Sequence, residues 1–360
     1  EVGQLYSASY IDCRQEYLNL QVNKLPVMYK KIANRLCLIL RPATVLLLLM
    51  VMVSVAEAVD FRSEADSFLR GMPKGLQERQ TRAIEDAIEG DVSSLEAVRN
   101  ARNAKPVLPG DVRCDSIGEH AVLFRSEAYR NDTVPLLVYF HGGGWTIGSI
   151  NSCSRYCGAM AAGGVAVLAV DYRLAPEYPY PHGLDDCRRV VEMAADSLDT
   201  WRCRSVSVGG DSSGGNLAIV TAMSMPAGKL ESLVVFYPVT KAYADGSESW
   251  KEYGKGYGLD SRLMEAFNRA YGGGCDNPQV SPAHASDREL QTLPRMMIVG
   301  ADRDILRDQG REFADRLSRL GVDVDYRLFP GSVHLFITVA GQTTAFDEAV
   351  RYSLEFLKKH

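Results

Sequence analysis

Short runs of apolar and β-branched residues alternate with longer, helix-like stretches along most of the chain. Two runs come early and close together, and the later ones are separated by enough residues for a crossover helix. This spacing predicts an antiparallel start followed by a mostly parallel sheet with helices on its faces. The eight predicted strands cover residues 112–117, 121–124, 136–140, 165–170, 205–208, 233–237, 296–299 and 324–329.

The first 58 residues have a different pattern, with the parts of a secretory signal. A basic start over residues 28–35 is followed by an uncharged apolar middle, residues 42–56, and by the A-x-A sequence Ala56-Glu57-Ala58. The middle is shorter than the roughly 20 residues of a membrane-spanning helix, so a cleaved signal peptide over residues 28–58 is favoured over a membrane anchor. The sequence does not begin with Met, and we expect residues 1–27 to be upstream, non-native sequence.

A Gly-x-Ser-x-Gly motif lies where the fifth predicted strand gives way to a helix. Residues 210–214 read Gly-Asp-Ser-Ser-Gly and are followed by a helix-like stretch, residues 216–223. Between a strand and a helix this motif forms a nucleophile elbow, in which glycines make room for a strained turn that exposes a serine hydroxyl. Ser212 is therefore the candidate nucleophile, with a tightly packed turn or a phosphate cradle as the alternatives.

A second glycine-rich segment, His141-Gly142-Gly143-Gly144-Trp145, follows the third predicted strand. Glycines in such a place expose backbone N–H groups, which can stabilise the oxyanion that forms when a serine attacks an ester carbonyl. An ordinary glycine-rich loop is the alternative. We expect His141 to brace the glycines and not to act as a base, because it directly joins the strand to the loop.

A serine nucleophile needs a general base, and the base needs a carboxylate that orients it. In this architecture the order along the chain is Ser, then Asp or Glu, then His, which leaves His334 and His360 as bases. His334 follows the last predicted strand and a turn at residues 330–333, whereas His360 is the final residue, so we assign His334. The acid stays open at this point among three aspartates that follow the seventh strand: Asp302, Asp304 and Asp308.

Four separated segments resemble motifs of the hormone-sensitive-lipase-like family of α/β-hydrolases. They are residues 141–145, 171–177, 210–215 and 304–310, and the resemblance spans roughly residues 110–358. It implies an α/β-hydrolase fold, with an eight-stranded, mostly parallel sheet flanked by helices. It also implies that Asp304 is the triad acid and that the backbone N–H groups of Gly143, Gly144 and Ser213 bind the oxyanion.

The resemblance also suggests a role for the helix-like segments 65–72, 76–88 and 92–101. Such N-terminal helices form part of a cap over the active site in the family, and the need to exclude water favours a cap over a solvated helical arm. We therefore expect a helical cap region at residues 59–108 and a catalytic domain at residues 109–360.

Two positions bear on whether the chain is an enzyme. Leu335 stands where the family commonly has a glycine after the histidine, which leaves the local loop geometry open but removes no catalytic group. Related plant hormone receptors keep the elbow and lack the histidine. The presence of His334 therefore favours an enzyme over a pseudoenzyme.

Composition narrows the function further. A chain of 360 residues that is 46% hydrophobic suits one large α/β domain. Its net charge of −5 and its lack of a basic block argue against nucleic-acid binding. No dinucleotide fingerprint is present, and we predict no cofactor. Cys153 and Cys157 lack a second ligand pair, so we predict no metal. Six cysteines follow residue 58, and an oxidising compartment would permit disulfides whose pairing the sequence does not reveal.

These observations predict a serine carboxylic ester hydrolase that acts on short-chain acyl esters through an acyl-enzyme. Its partner would be a small-molecule ester, in the periplasm or outside the cell, without stable membrane insertion after signal cleavage. Three alternatives stay open: an amidase or peptidase of the same fold, a ligand-binding protein without activity, and an anchored form with an uncleaved N-terminal segment. The oligomeric state also stays open, with a homodimer as one alternative.

Overall fold

A computed structural model describes residues 61–359 of the chain. The expected signal peptide, residues 28–58, and residues 1–27 lie outside this range. The chain divides after Ser63, and the fold belongs to the unit that begins at Glu64. Within residues 61–359, no helix is both long enough and apolar enough to cross a membrane.

An eight-stranded sheet forms the centre of the fold, in the order β1-β2-β4-β3-β5-β6-β7-β8. β2 pairs antiparallel with β1 and β4, and the other neighbours are parallel, so the predicted antiparallel start and parallel remainder are confirmed. The strands are β1 (Val112–Ile117), β2 (Ala121–Ser126), β3 (Val134–Phe140), β4 (Ala166–Val170), β5 (Cys203–Asp211), β6 (Leu233–Phe236), β7 (Met296–Arg303) and β8 (Val324–Val333).

Helices flank this sheet, and every residue of β3, β4 and β6 is buried. Burial on both faces explains why these strands have continuous apolar sequences without alternation. Residues 61–71 are helical. The helices that follow are α1 (Leu76–Ile88), α2 (Ser93–Arg102), α3 (Ile150–Ala162), α4 (His182–Asp196), α5 (Ser213–Ser224), α6 (Glu248–Glu252), α7 (Ser261–Tyr271), α8 (Asp287–Leu290), α9 (Arg307–Arg319) and α10 (Thr343–Lys358).

The carboxyl ends of the parallel strands meet at one edge of the sheet, which is where open α/β sheets bind ligands. The glycine-rich loop follows β3 there, the elbow follows β5, and the two remaining candidate residues lie just after β7 and β8. One boundary differs from its prediction: residues 330–333, expected as a turn, belong to β8. β8 is an edge strand, where a proline without an N–H group is tolerated.

Helices α1 and α2 contact the loops at this edge through specific hydrogen bonds. The Gln77 side chain donates to the carbonyl of Gly258 at 2.8 Å and accepts from the N–H of Asp260 at 3.1 Å. On α2, the Arg99 guanidinium donates to the carbonyl oxygens of Thr146 at 2.8 Å and Ala175 at 2.9 Å. The two helices are thereby fastened directly beside the glycine-rich loop.

The six cysteines after residue 58 are all free thiols. Cys153 and Cys157 are one helical turn apart on α3, with their sulfur atoms 3.8 Å from each other. This separation is far longer than the roughly 2 Å of a disulfide bond.

Candidate catalytic site

Ser212 occupies a sharp turn between β5 and α5, with φ 55° and ψ −118°. A non-glycine residue rarely adopts positive φ, and it is retained only where the surroundings hold it. Close packing supplies that constraint: a Cβ atom on Gly214 would lie 2.0 Å from the carbonyl oxygen of Phe140, and one on Gly210 would lie 2.4 Å from the carbonyl group of Gly214. The glycines of the motif are therefore required by the close approach of β3 to the start of α5.

The three residues assigned as nucleophile, acid and base lie in one hydrogen-bonded row. His334 Nε2 is 3.1 Å from Ser212 Oγ, and His334 Nδ1 is 2.6 Å from Asp304 Oδ2. All three side chains are buried, with residue exposures of 6% for Ser212, 1% for Asp304 and 2% for His334. Burial keeps bulk water from competing for these hydrogen bonds.

The three aspartates after β7 have different partners. The second Asp304 oxygen accepts from the backbone N–H of Leu306 at 3.0 Å, which fixes the carboxylate facing the histidine. Asp302 accepts from the N–H of Gly331 at 2.8 Å. Asp308 accepts from the N–H of Ser249 at 2.8 Å and pairs with the neighbouring Arg307. Only Asp304 contacts the histidine, as the family resemblance implies.

The histidine is positioned by the loop that follows β8. Its ring packs against Tyr237 with ring centroids 4.3 Å apart, and its carbonyl oxygen accepts from the Gln342 side chain at 3.1 Å. Leu335 adopts φ 75°, the left-handed conformation that a glycine would adopt without strain. The chain thus keeps a glycine-like turn with a leucine in it.

The glycine-rich loop presents backbone donors beside Ser212. Gly143 and Gly144 have φ of 126° and 59° and line the cavity that contains Ser212. Neither N–H group donates a hydrogen bond within the part of the chain that the structure describes. Ser213 is the first residue of α5, so its N–H lacks an intrahelical acceptor. The three expected oxyanion donors therefore belong to residues that line the cavity at Ser212 or directly follow this serine in the chain.

Asp211 stands within the elbow motif, and the sequence reasoning did not single it out although its carboxyl contacts the glycine-rich loop. Its carboxyl accepts from the Tyr139 hydroxyl and from the N–H of Gly142, both at 3.1 Å. Burial raises its pKa to about 6, and these two hydrogen bonds only partly oppose that rise. A Cβ atom on Gly142 would lie 2.3 Å from this carboxyl. Asp211 thus ties the elbow to the start of the glycine-rich loop.

His141 lies beneath the same loop and away from the row of catalytic candidates. Its Nδ1 is 2.9 Å from the carbonyl of Gly142, and its ring stacks on Tyr172 at 4.3 Å. Burial lowers the pKa of this imidazole, which favours the neutral form as a hydrogen-bond donor to the loop. Nearby, the motif residues Arg173 and Glu177 pair with Asp186 and Arg99.

The cavity at Ser212 is small, about 30 Å³, enough for about one water molecule. Gly143, Gly144 and His334 line it from the sheet side, and Phe267 of α7 contributes an apolar wall. Gln80 of α1 and Arg102 of α2 also line it. Neither residue belongs to a recognisable motif, and no signal in the sequence pointed to them.

Comparison with known proteins gives consistent matches. A model of the alpha/beta hydrolase fold family matches residues 137–338. An alpha/beta hydrolase of Acanthamoeba polyphaga mimivirus is 31% identical over 227 residues, covering 61% of this chain and 65% of the viral protein, slightly under two thirds of its length. The ethyl acetate hydrolase of Pseudomonas putida is 35% identical over 237 residues, covering 62% and 73%. An esterase structure from Rhizomucor miehei has a TM-score of 0.67 at 26% identity, covering 74% of this chain and 90% of that one.

Proposed function

Because the chain belongs to the alpha/beta hydrolase family, in its hormone-sensitive-lipase-like group, we propose that it hydrolyses carboxylic esters with short acyl chains through Ser212, His334 and Asp304. The observation that carries the proposal is the continuous row of hydrogen bonds from Ser212 Oγ through both ring nitrogens of His334 to Asp304. A nucleophile in contact with a base that a carboxylate orients is the arrangement required for acyl transfer.

The reaction begins with proton transfer from Ser212 Oγ to His334 Nε2 as the oxygen attacks the ester carbonyl. Asp304 holds the proton on Nδ1, so that Nε2 is free to accept, and it stabilises the imidazolium that forms. The positive charge is generated next to a buried carboxylate. The carboxylate of Asp304 therefore offsets the cost of forming the imidazolium in a buried site, where a charge without a partner would be unfavourable.

The tetrahedral intermediate carries its charge on the former carbonyl oxygen, which the N–H groups of Gly143, Gly144 and Ser213 bind. Removal of one such donor typically costs about 3–4 kcal/mol of transition-state stabilisation. His334 then gives its proton to the departing alcohol, which leaves the acyl group on Ser212. Water attacks the acyl-enzyme with His334 again as base, and the acid product departs.

Two observations support short acyl chains. The cavity at Ser212 is small and bounded by Phe267, and a similar protein from Pseudomonas putida is named for the hydrolysis of ethyl acetate. We further propose that residues 59–108 act as the cap, because α1 and α2 contribute side chains to this cavity. Covering the site excludes water and strengthens the electrostatic interactions within it.

The proposal is tested by the hydrolysis of p-nitrophenyl esters from acetyl to palmitoyl, measured for the wild-type protein and for Ser212→Ala. We expect turnover to be highest with short acyl chains and to fall by at least about 10⁴-fold in the variant, since the nucleophile is lost. Ser224→Ala, at the far end of α5, is the matched control and should retain activity. Folded protein without turnover of any ester would refute the proposal.

A matched anilide distinguishes the remaining enzymatic alternative. An ester hydrolase should cleave the p-nitrophenyl ester far faster than the p-nitroanilide of the same acid, because the anilide has the poorer leaving group. Comparable rates on the two substrates would identify an amidase.

A further inference from the structure

Arg102, the last residue of α2, lies where three cavities meet. It lines the small cavity that contains Ser212 and His334. It also lines an adjoining cavity of about 380 Å³ beside Leu335 and another of about 510 Å³ between α1 and α2. A substrate that extends from Ser212 into either larger space must pass its guanidinium group.

This guanidinium has no hydrogen-bond or ion-pair partner among residues 61–359. The largest charge effect that favours its protonated form comes from Asp211, whose carboxyl is already bound to Tyr139 and Gly142. Burial lowers the pKa of Arg102, and the charge of Asp211 only partly offsets that effect. Arg102 is half-buried, and a cation without a partner beside a buried site can form a charge-assisted hydrogen bond with an anion brought by a ligand.

Arg99, one turn earlier on α2, shows what a structural arginine looks like in the same helix. Its guanidinium donates to the carbonyl oxygens of Thr146 and Ala175 and forms a two-pronged pair with Glu177, with one contact at 2.8 Å. All of its donor groups serve to fasten α2. Arg102 has none of these contacts and therefore does not have the same role.

Two further polar groups in the small cavity lack partners in the described structure. Gln80 is only 3% exposed, and its side-chain amide makes no hydrogen bond with residues 61–359. Thr338 Oγ1 is buried, also without a hydrogen-bond partner. A buried hydroxyl without a partner, such as that of Thr338, is uncommon in proteins and calls for an explanation. Together with Arg102 they place a guanidinium, an amide and a hydroxyl donor around one space beside the nucleophile.

We propose that Arg102, Gln80 and Thr338 bind a carboxylate of the substrate, so that the preferred esters carry an acidic group a few bonds from the ester carbonyl. This inference rests on the proposed ester hydrolysis and specifies its substrate class. Guanidinium and carboxylate groups match in planar geometry, and charge-assisted hydrogen bonds of this kind are about twice as strong as neutral ones. The adjoining 380 Å³ cavity is lined partly by Phe68, Met72 and Leu335, which suit the carbon chain between the two groups.

The test compares charged esters with neutral esters of the same shape. Monoethyl glutarate is paired with ethyl 5-oxohexanoate, which places the charge on the acyl side, and ethanol release is measured. The acetate ester of 4-hydroxybutyrate is paired with 5-acetoxypentan-2-one. This pair places the charge on the alcohol side, and acetate release is measured. In each pair a methyl ketone replaces the carboxylate, so that size is preserved and charge is lost.

For at least one pair we expect kcat/KM of the wild-type protein to favour the acidic ester by roughly tenfold or more, the range of a hydrogen bond to a charged group. In Arg102→Met that ratio should fall towards 1, mainly through a higher KM for the acidic ester, and Arg102→Lys should restore part of it. Arg288→Met removes an exposed arginine from α8, away from all three cavities, and should leave the ratio unchanged.

Three outcomes overturn the inference: no preference in either pair, an equal loss on charged and neutral esters in Arg102→Met, or the same change in Arg288→Met. Failure of the underlying function is recognised separately, because p-nitrophenyl acetate would then also be left intact. A measurement without turnover completes the test. Glutarate should bind folded Ser212→Ala in calorimetry and bind roughly tenfold more weakly when Arg102→Met is added.

Discussion

Replacement of Asp211 by asparagine should change how the stability of the protein depends on pH. The carboxyl is fully buried beside the nucleophile, and burial raises its pKa from 3.8 to about 6. Asparagine keeps an oxygen that can accept from Tyr139 and Gly142 but cannot ionise. Comparison of the two proteins therefore isolates the titration of this one group.

The direction and size of the effect follow from proton linkage. Because the folded-state pKa lies above the unfolded value, the folded protein binds more protons between about pH 4 and pH 6. The contribution of Asp211 to stability is thus fully present below about pH 4 and is lost as the pH rises through about 6. The difference between 3.8 and about 6 corresponds to roughly 3 kcal/mol, since each tenfold change in proton affinity is worth about 1.4 kcal/mol.

Urea unfolding of both proteins between pH 4 and pH 8, followed by tryptophan fluorescence, measures this contribution. Groups that titrate identically in both proteins cancel, so the free energy of unfolding of Asp211→Asn should rise relative to wild type by about 2.4 kcal/mol from pH 4 to pH 8. This is less than the full value because pH 4 already lies above the unfolded-state pKa of 3.8. A constant penalty for burying the amide would shift the whole curve without changing this slope. A difference that stays flat across the range would refute the reasoning.

Tyr139→Phe provides a control in the opposite direction. The tyrosine hydroxyl donates to Asp211 and lowers the pKa of this carboxyl, so its removal should raise that pKa further. The stability of Tyr139→Phe should therefore fall more steeply with pH than that of the wild-type protein. A shallower pH dependence would contradict the assignment of Asp211 as the titrating group.

Two backbone positions give further predictions. Gly144→Ala should lose at least about tenfold in kcat/KM and unfold at lower temperature, because the new Cβ would lie 2.0 Å from the Phe267 ring. Gly246→Ala is the control: Gly246 also has a positive φ, but its new Cβ would contact no other atom, so this variant should keep full activity. At Leu335, φ is 75°, so Leu335→Gly should exceed Leu335→Ala in unfolding free energy by about 1 kcal/mol, measured in urea. Equal activity of the two alanine variants at the glycine positions, or a more stable Leu335→Ala, would contradict these expectations.

Much of the fold and part of the site could be predicted from the sequence, because they depend on local patterns. The eight strands follow from apolar runs and their spacing, and α1 begins and ends where its pattern does. Ser212 and His334 could be assigned from motif and chain order. Asp304 required the family resemblance, because the three candidate aspartates differ only in what they contact after folding: Leu306 and His334 in one case, main-chain donors elsewhere in the other two.

The remaining features depend on contacts between distant segments and could not be read from local pattern. Arg99 and Arg102 are three residues apart on α2, and residues at this spacing lie on the same face of a helix. Only Arg99 contacts Glu177 and the nearby carbonyl group of Ala175. The two arginines therefore differ only after folding has brought the loop that follows β4 against α2. One arginine is thereby used to fasten the helix while the other stays beside the nucleophile without a partner. Under the two proposals above, α2 would hold the cap in place through Arg99 and select the substrate through Arg102, and mutation of the two residues separates these roles.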